Sequence, residues 1–174
     1  MKKENTTKWV IDASHSEVSF KVKHMMISTV TGYFENFNAT AETDGDDFNN
    51  AAIEVSIDTG SVNTKNSDRD THLKSDDFFN AEKFPEMVFT STSFKNGILT
   101  GDLTIRDVTK EVSLEADFNG IAVDPYGQTK AGFELTGEIN RKDFGLKWSA
   151  VTEAGNVVVS DTVKLVIDVQ FIRQ

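Results

Sequence analysis

At 174 residues the chain is long enough for one ordinary domain, and a domain of that size buries roughly 70% of the surface its unfolded chain exposes. Its 38% hydrophobic and 26% charged residues are globular rather than disordered composition, and the absence of cysteine excludes disulfide frameworks, thiolate metal sites and thiol enzymes while leaving the redox compartment unread. The net charge of −10 opposes phosphate backbones and anionic lipid surfaces over long range unless a local basic patch overrides it, so no nucleic-acid partner is expected.

The first residues, "MKKENTTKWV", carry two lysines followed by polar residues where a signal peptide would place its apolar core. Residues 1–7 are expected to be a flexible lead-in to a single domain covering 1–174. No run of about 18 apolar residues exists, so no transmembrane helix is expected. As written the chain reads as cytoplasmic, or as periplasmic if a leader was removed.

Beyond that lead-in the chain alternates. A strand is expected at residues 9–12, and another at 17–23, where Val18, Phe20 and Val22 share one parity and Ser19, Lys21 and Lys23 the other. A third runs through 33–37 and continues past a bend. The pattern returns in Ile53, Val55 and Ile57, in "MVFTSTSF" at 87–94, and in Leu99, Leu103 and Ile105. It recurs in Val112, Leu114, Ala116 and Phe118, then in Phe133, Leu135 and Ile139, and ends in Val163, Leu165, Ile167, Val169 and Phe171. "DG" at 44–45, "NG" at 96–97 and "DPYG" at 124–127 supply turns, so eight or nine strands should be mostly antiparallel neighbours in a barrel or sandwich.

Gly32, Gly101, Ala116, Ala131 and Gly137 fall on the apolar parity. They either leave room that leucines would have filled or ease strands round barrel corners, and alternation alone does not decide.

One stretch breaks the pattern: "SDRDTHLKSDDFFNAEKFP", residues 67–85. Ser67 with Asp70 three residues on is a capping-box-like start, Ser75 can restart a turn, and Pro85 ends the segment. One or two short helical turns are expected, with Leu73, Phe78 and Phe79 as the apolar side and a sheet face or barrel mouth as their partner.

"WVIDASHSEVSFKVKHMMISTVTGYFENF", "SVNTKNSDRDTHLKSDDFFNAEKFPEMVFTS", "GDLTIRDVTKEVSL", "GEINRKDFGL" and "DTVKLVIDVQF" follow one another in an order and spacing that resemble the YceI-like polyisoprenoid-binding family, over residues 9–171. The resemblance implies an all-β, antiparallel, lipocalin-like barrel of eight or slightly more strands with one or two short helical insertions. It also implies an elongated apolar cavity for an isoprenoid or another long amphiphile, no settled catalytic chemistry, and glycines that make space.

On that reading the cavity-lining candidates are Val18, Phe20, Val22, His24, Phe34, Leu73, Phe78, Phe79, Phe89, Leu103, Leu114, Ala116, Phe133, Leu135, Leu165 and Ile167. Arg69, His72 and Arg141 are the candidates for a head group, with Lys74 and Lys142 as further cations near the mouth; each has an ordinary surface role as its alternative. His24 can bond a head group or a neighbouring carbonyl, and Arg69 and Asp70 can tie the helical segment to the barrel.

His15, His24 and His72 are the three histidines, and no spacing among them matches a metal motif. "GxSxG", "HExxH", the Walker loop and "GxGxxG" are absent, so no catalytic residue and no cofactor are expected. The expected function is noncatalytic binding, carriage or storage of a long-chain isoprenoid or fatty-acyl lipid. The alternative is a structural or protein-interaction barrel with a filled core. Unpaired strand edges leave a homodimer open.

Overall fold

In the computed structural model, which describes residues 6–150 and 158–174, the alternating segments pair into one antiparallel sheet that closes on itself. The strands are β1 (Thr6–Ile11), β2 (Glu17–His24), β3 (Ser28–Phe34), β4 (Phe37–Asp44), β5 (Asp47–Asp58), β6 (Val62–Asn63), β7 (Glu86–Lys95), β8 (Ile98–Ile105), β9 (Val108–Val123), β10 (Thr129–Asn140) and β11 (Thr162–Arg173). Eight of them, in the order β1-β4-β5-β7-β8-β9-β10-β11, form a ring that the β1–β11 pairing shuts. Closure removes the sheet edges within that ring.

β11 serves two partners on one edge. Its last residues pair with β1, Ile11 opposite Phe171, while Lys164 to Asp168 pair with β2. β1 and β2 thus follow each other along β11, separated by the 3-10 turn Ala13–His15, which Asp12 caps by accepting the Ser14 N–H. β3 and β6 continue outward from β2.

The count exceeds the eight or nine expected because the strand expected to bend at 33–37 is two, β3 and β4, and because the two residues of β6 are too few for a period to register. Two residues of the expected flexible lead-in fall in a strand instead. Thr6 and Thr7 already belong to β1, opposite Asp44 and Thr43, and residues 1–5 lie outside the described residues.

Turns follow the sequence signals. Asn96 and Gly97 take φ of 55° and 73°, and Gly127 takes 82°, the left-handed conformations that tight hairpins require. These turns and the Asp44–Asp47 turn mark one end of the barrel, the base.

Two apolar clusters divide the interior. Near the base, Trp9, Phe48, Phe133 and Phe171 meet, with ring centroids 4.8 Å apart for Phe48 and Phe133 and 5.0 Å for Trp9 and Phe48. The indole of Trp9 is fully buried and donates to Thr43 Oγ1 at 2.8 Å, so its polar atom is satisfied. Towards the other end, the rim, Phe20, Phe34, Phe79, Phe144 and Leu146 form the second cluster.

The glycines do not open the space that the family resemblance implied. A Cβ on Gly32 would collide with the Phe20 ring, one on Gly101 with the Phe89 ring and the Thr90 carbonyl, and one on Gly137 with Leu114. Each glycine is the seat of a neighbour's side chain, which packs across it. Ala131 is fully buried in the base cluster.

The pattern-breaking segment 67–85, an island among the strands, folds as the helix α1 (Ser67–Lys74) and a run of turns at 75–84. Its cap is Asn66, whose side chain accepts the Arg69 N–H at 3.0 Å, rather than the Ser67 and Asp70 pair. Asp70 turns instead to Thr64, accepting its N–H at 2.8 Å and its hydroxyl at 2.6 Å. At the other side Arg106, in the β8–β9 turn, donates to the carbonyls of Asp76 and Phe78 and to the Asp76 carboxylate. Thr59 holds the exit through its N–H to Pro85 O and its hydroxyl to Phe84 O. The segment is tied across the rim from β6 to the β8–β9 turn.

Candidate functional site

Along β11 the inward side chains are buried at Val163, half-buried at Leu165 and Ile167, and buried again at Val169 and Phe171. A packed barrel would bury the middle of a strand most, so this order marks a hollow between the two clusters. Val22, Leu103, Val112 and Ile139 are half-buried in the same way. The hollow measures about 360 Å³, at the low end of the roughly 300–1,000 Å³ typical of ligand pockets.

Its floor includes Phe94, Phe133 and Phe171, and its cover is Leu73, Phe78 and Phe79 from the island with Leu146 and Trp148 from the loop after β10. The walls are apolar. Among the described residues, polar side chains reach the lining at Ser19, Lys23, His24, Thr64, Arg69, His72 and Arg141, and Ser19 donates its hydroxyl to Val166 O at 2.8 Å. The remaining six lie at the rim or in the cover.

The structure brings together fifteen of the sixteen lining candidates: Val18, Phe20, Val22, His24, Phe34, Leu73, Phe78, Phe79, Phe89, Leu103, Leu114, Phe133, Leu135, Leu165 and Ile167. Ala116 is the exception; it packs against the base cluster without reaching the hollow.

The three head-group candidates also border it, in different states. Arg141 is 3% exposed. Its guanidinium donates to the carbonyls of Ser160 at 2.9 Å, Leu146 at 2.7 Å and Trp148 at 2.6 Å, so it clamps the covering loop. Burial pushes its pKa down, with Asp161 at 3.8 Å acting the other way. Arg69 is similarly engaged, donating from Nε to Thr64 Oγ1 and from Nη2 to Thr64 O, both at 2.8 Å. His72 is the most open of the three: Nε2 faces Asp77 Oδ2 at 2.8 Å, and its ring stands edge-on to Phe78 at 5.0 Å and Trp148 at 4.9 Å. Lys74 and Lys142 do not line the hollow, and Lys142 pairs with Asp161 at 3.2 Å.

Leu146, Trp148 and Lys23 are among the lining residues that sequence reasoning missed. The signal for the first two was an apolar pair at alternate positions just after Gly145, whose φ of 80° ends the turn Arg141–Phe144. Lys23, on the outward parity, reaches the lining only because β2 ends at the rim. Of the histidines, His15 pairs with Asp12 at 2.9 Å outside the hollow, and among the described residues no group of three His, Cys, Asp or Glu is placed to hold a metal.

With this geometry in place, the family model of the YceI-like domain matches residues 9–171. The chain belongs to the YceI-like family. A UPF0312 protein of Staphylococcus aureus (strain MSSA476) is 36% identical to it over 166 residues, 95% of this chain and 97% of the relative. The crystal structure of the Campylobacter jejuni YceI protein is 36% identical, covers 100% of this chain and 99% of its own, and superposes with a TM-score of 0.75. Two more distant structures share the fold of this YceI-like chain. BcnA of Burkholderia cenocepacia is 20% identical with a TM-score of 0.78, covering 92% of this chain and 98% of its own. A domain from Saccharophagus degradans described as polyisoprenoid binding is 16% identical with a TM-score of 0.74, covering 95% and 98%.

Proposed function

We propose that this YceI-like barrel is a noncatalytic binder of a long-chain isoprenoid or similar amphiphile, held tail-inward, and that it carries or stores that lipid. The observation that carries this reading is the hollow, apolar from its aromatic floor to its cover. The polyisoprenoid-binding description of the S. degradans domain, which shares the fold, supports the same ligand class.

The energetics follow from area. A five-carbon prenyl unit gains roughly 3–4 kcal/mol on leaving water, at about 0.8 kcal/mol per methylene. Association costs an estimated 4–15 kcal/mol, so several buried units are needed before affinity appears. Length is therefore selected more strongly than branching. At the rim, His24 is the side chain best placed to meet a polar head, since Arg69 and Arg141 already donate to protein oxygens and His72 faces Asp77.

The test is native mass spectrometry of the purified protein, organic extraction, and titration with prenyl alcohols of two to five units and acyl chains of matched length. Affinity should rise with each added unit and level off once the hollow is full. A protein that is repeatedly empty and rejects every chain supports the filled-core alternative. That alternative draws on the aromatic packing at the base.

A further inference from the structure

The β2–β3 hairpin ends in Met25, Met26 and Ile27, which are 37%, 63% and 82% exposed. Met25 and Met26 sit at φ of 52° and 59°, a left-handed conformation that glycine or asparagine normally takes and that is unfavourable for a long side chain. A polar turn would be more stable and more soluble in water. The tip thus carries both backbone strain and exposed apolar surface.

Its charge is as unusual. In a chain with 28 acidic residues, residues 18–34 contain Lys21, Lys23 and His24 and no carboxylate. Lys21 stands directly opposite Lys164 of β11, and like charges facing each other across a ladder are destabilising. Asp161, beside the hairpin, is engaged by Lys142 at 3.2 Å. The patch is continuous with the hollow, because Val22, Lys23 and His24 line it and Met25 follows them, its N–H bonded to the carbonyl of Val158, another lining residue.

We propose that this hairpin docks the protein on a bilayer bearing anionic phospholipid, with Met26 and Ile27 entering the acyl region and Lys21 and Lys164 meeting the head groups. Apolar anchors ringed by lysine are what an anionic interface selects. Glu138 of β10 stands opposite Lys164 on its other side, and an anionic surface adds compensation that reaches Lys21 as well. The contact places the cavity rim against the membrane, so a lipid tail passes between bilayer and hollow with little exposure to water. This rests on the lipid-binding reading for its purpose, though not for its geometry.

The experiment is co-sedimentation of the full chain with phosphatidylcholine vesicles, with and without 30 mol% phosphatidylglycerol, alongside uptake of a soluble fluorescent C16 fatty acid in the absence of vesicles. The wild type should bind the anionic vesicles more tightly than the neutral ones. Met26→Ser with Ile27→Ser should weaken that binding at least tenfold, and Lys21→Gln with Lys164→Gln should abolish the preference for anionic vesicles. Uptake of the free fatty acid should be unchanged in both, since none of the four residues lines the hollow. No vesicle binding by the wild type, or equal binding by the variants, overturns the docking proposal, as does a wild-type dimer that the tip variants convert to monomer. Failure of fatty-acid uptake in every protein counts instead against the lipid-binding reading.

Discussion

Asp12 shows how much a single side chain can gather from afar. It accepts from Lys130 Nζ at 2.8 Å and from the Ser14 hydroxyl at 2.7 Å, and it faces His15 at 2.9 Å. It thereby ties the β1–β2 turn to β10. The Lys130 bond first, then that of Ser14, holds its carboxyl far below the ordinary value of 3.8. Because the unfolded chain takes up the proton first as pH falls, this stabilisation is complete above about pH 4 and is lost as the pH drops towards the folded value. Asp12→Asn should therefore lower stability at pH 7 and flatten its decline below pH 4, as read from urea midpoints at pH 7, 4 and 3. An unchanged acid profile would remove Asp12 from the account. Nothing near position 12 in the sequence announces this role, since Lys130 is 118 residues away. Arg141 is a similar case. Its charge suggested a head group, but the carbonyls of Leu146, Trp148 and Ser160 converge on it only in the folded loop.

Among the elements, strands were the most legible. Val18, Phe20 and Val22, or Val163 to Phe171, announce which face is inward because a two-residue period survives whatever the strand pairs with. The island was legible as a break with an apolar side. Its cap was not, since Asn66 and Ser67 are both good caps and only the pull of Thr64 on Asp70 separates them. Glycine misled for a related reason: an empty position in the sequence says nothing of what leans across it. Phe20 and Gly32 are register partners, and the ring covers the gap. Gly32→Ala should cost about 1–3 kcal/mol through overpacking, and Phe20→Leu in the same chain should recover part of that cost. A double-mutant cycle by chemical denaturation measures the coupling. Additive effects would mean the two do not share the space.

For the molecule as a whole, the deciding quantity is the volume left between two clusters. Ile167, half-buried in the middle of β11, borders that volume. Ile167→Phe should fill it, cutting lipid occupancy at least tenfold in native mass spectra while the melting temperature holds or rises, because an added group that finds empty space contributes contacts without strain. Undiminished occupancy would place the ligand elsewhere. By itself the sequence determined the all-β class, the inward face of each main strand, the hairpin turns, the covering segment and the YceI-like resemblance, all of which depend on local period and local conformation. The tertiary structure alone decided that the ring closes between β1 and β11, that the glycine gaps are filled while the middle of the barrel is not, and that Arg69, Arg106 and Arg141 brace the cover. Those outcomes depend on which side chains from distant strands meet and how much volume they jointly occupy, a sum to which no single stretch of chain holds all the terms.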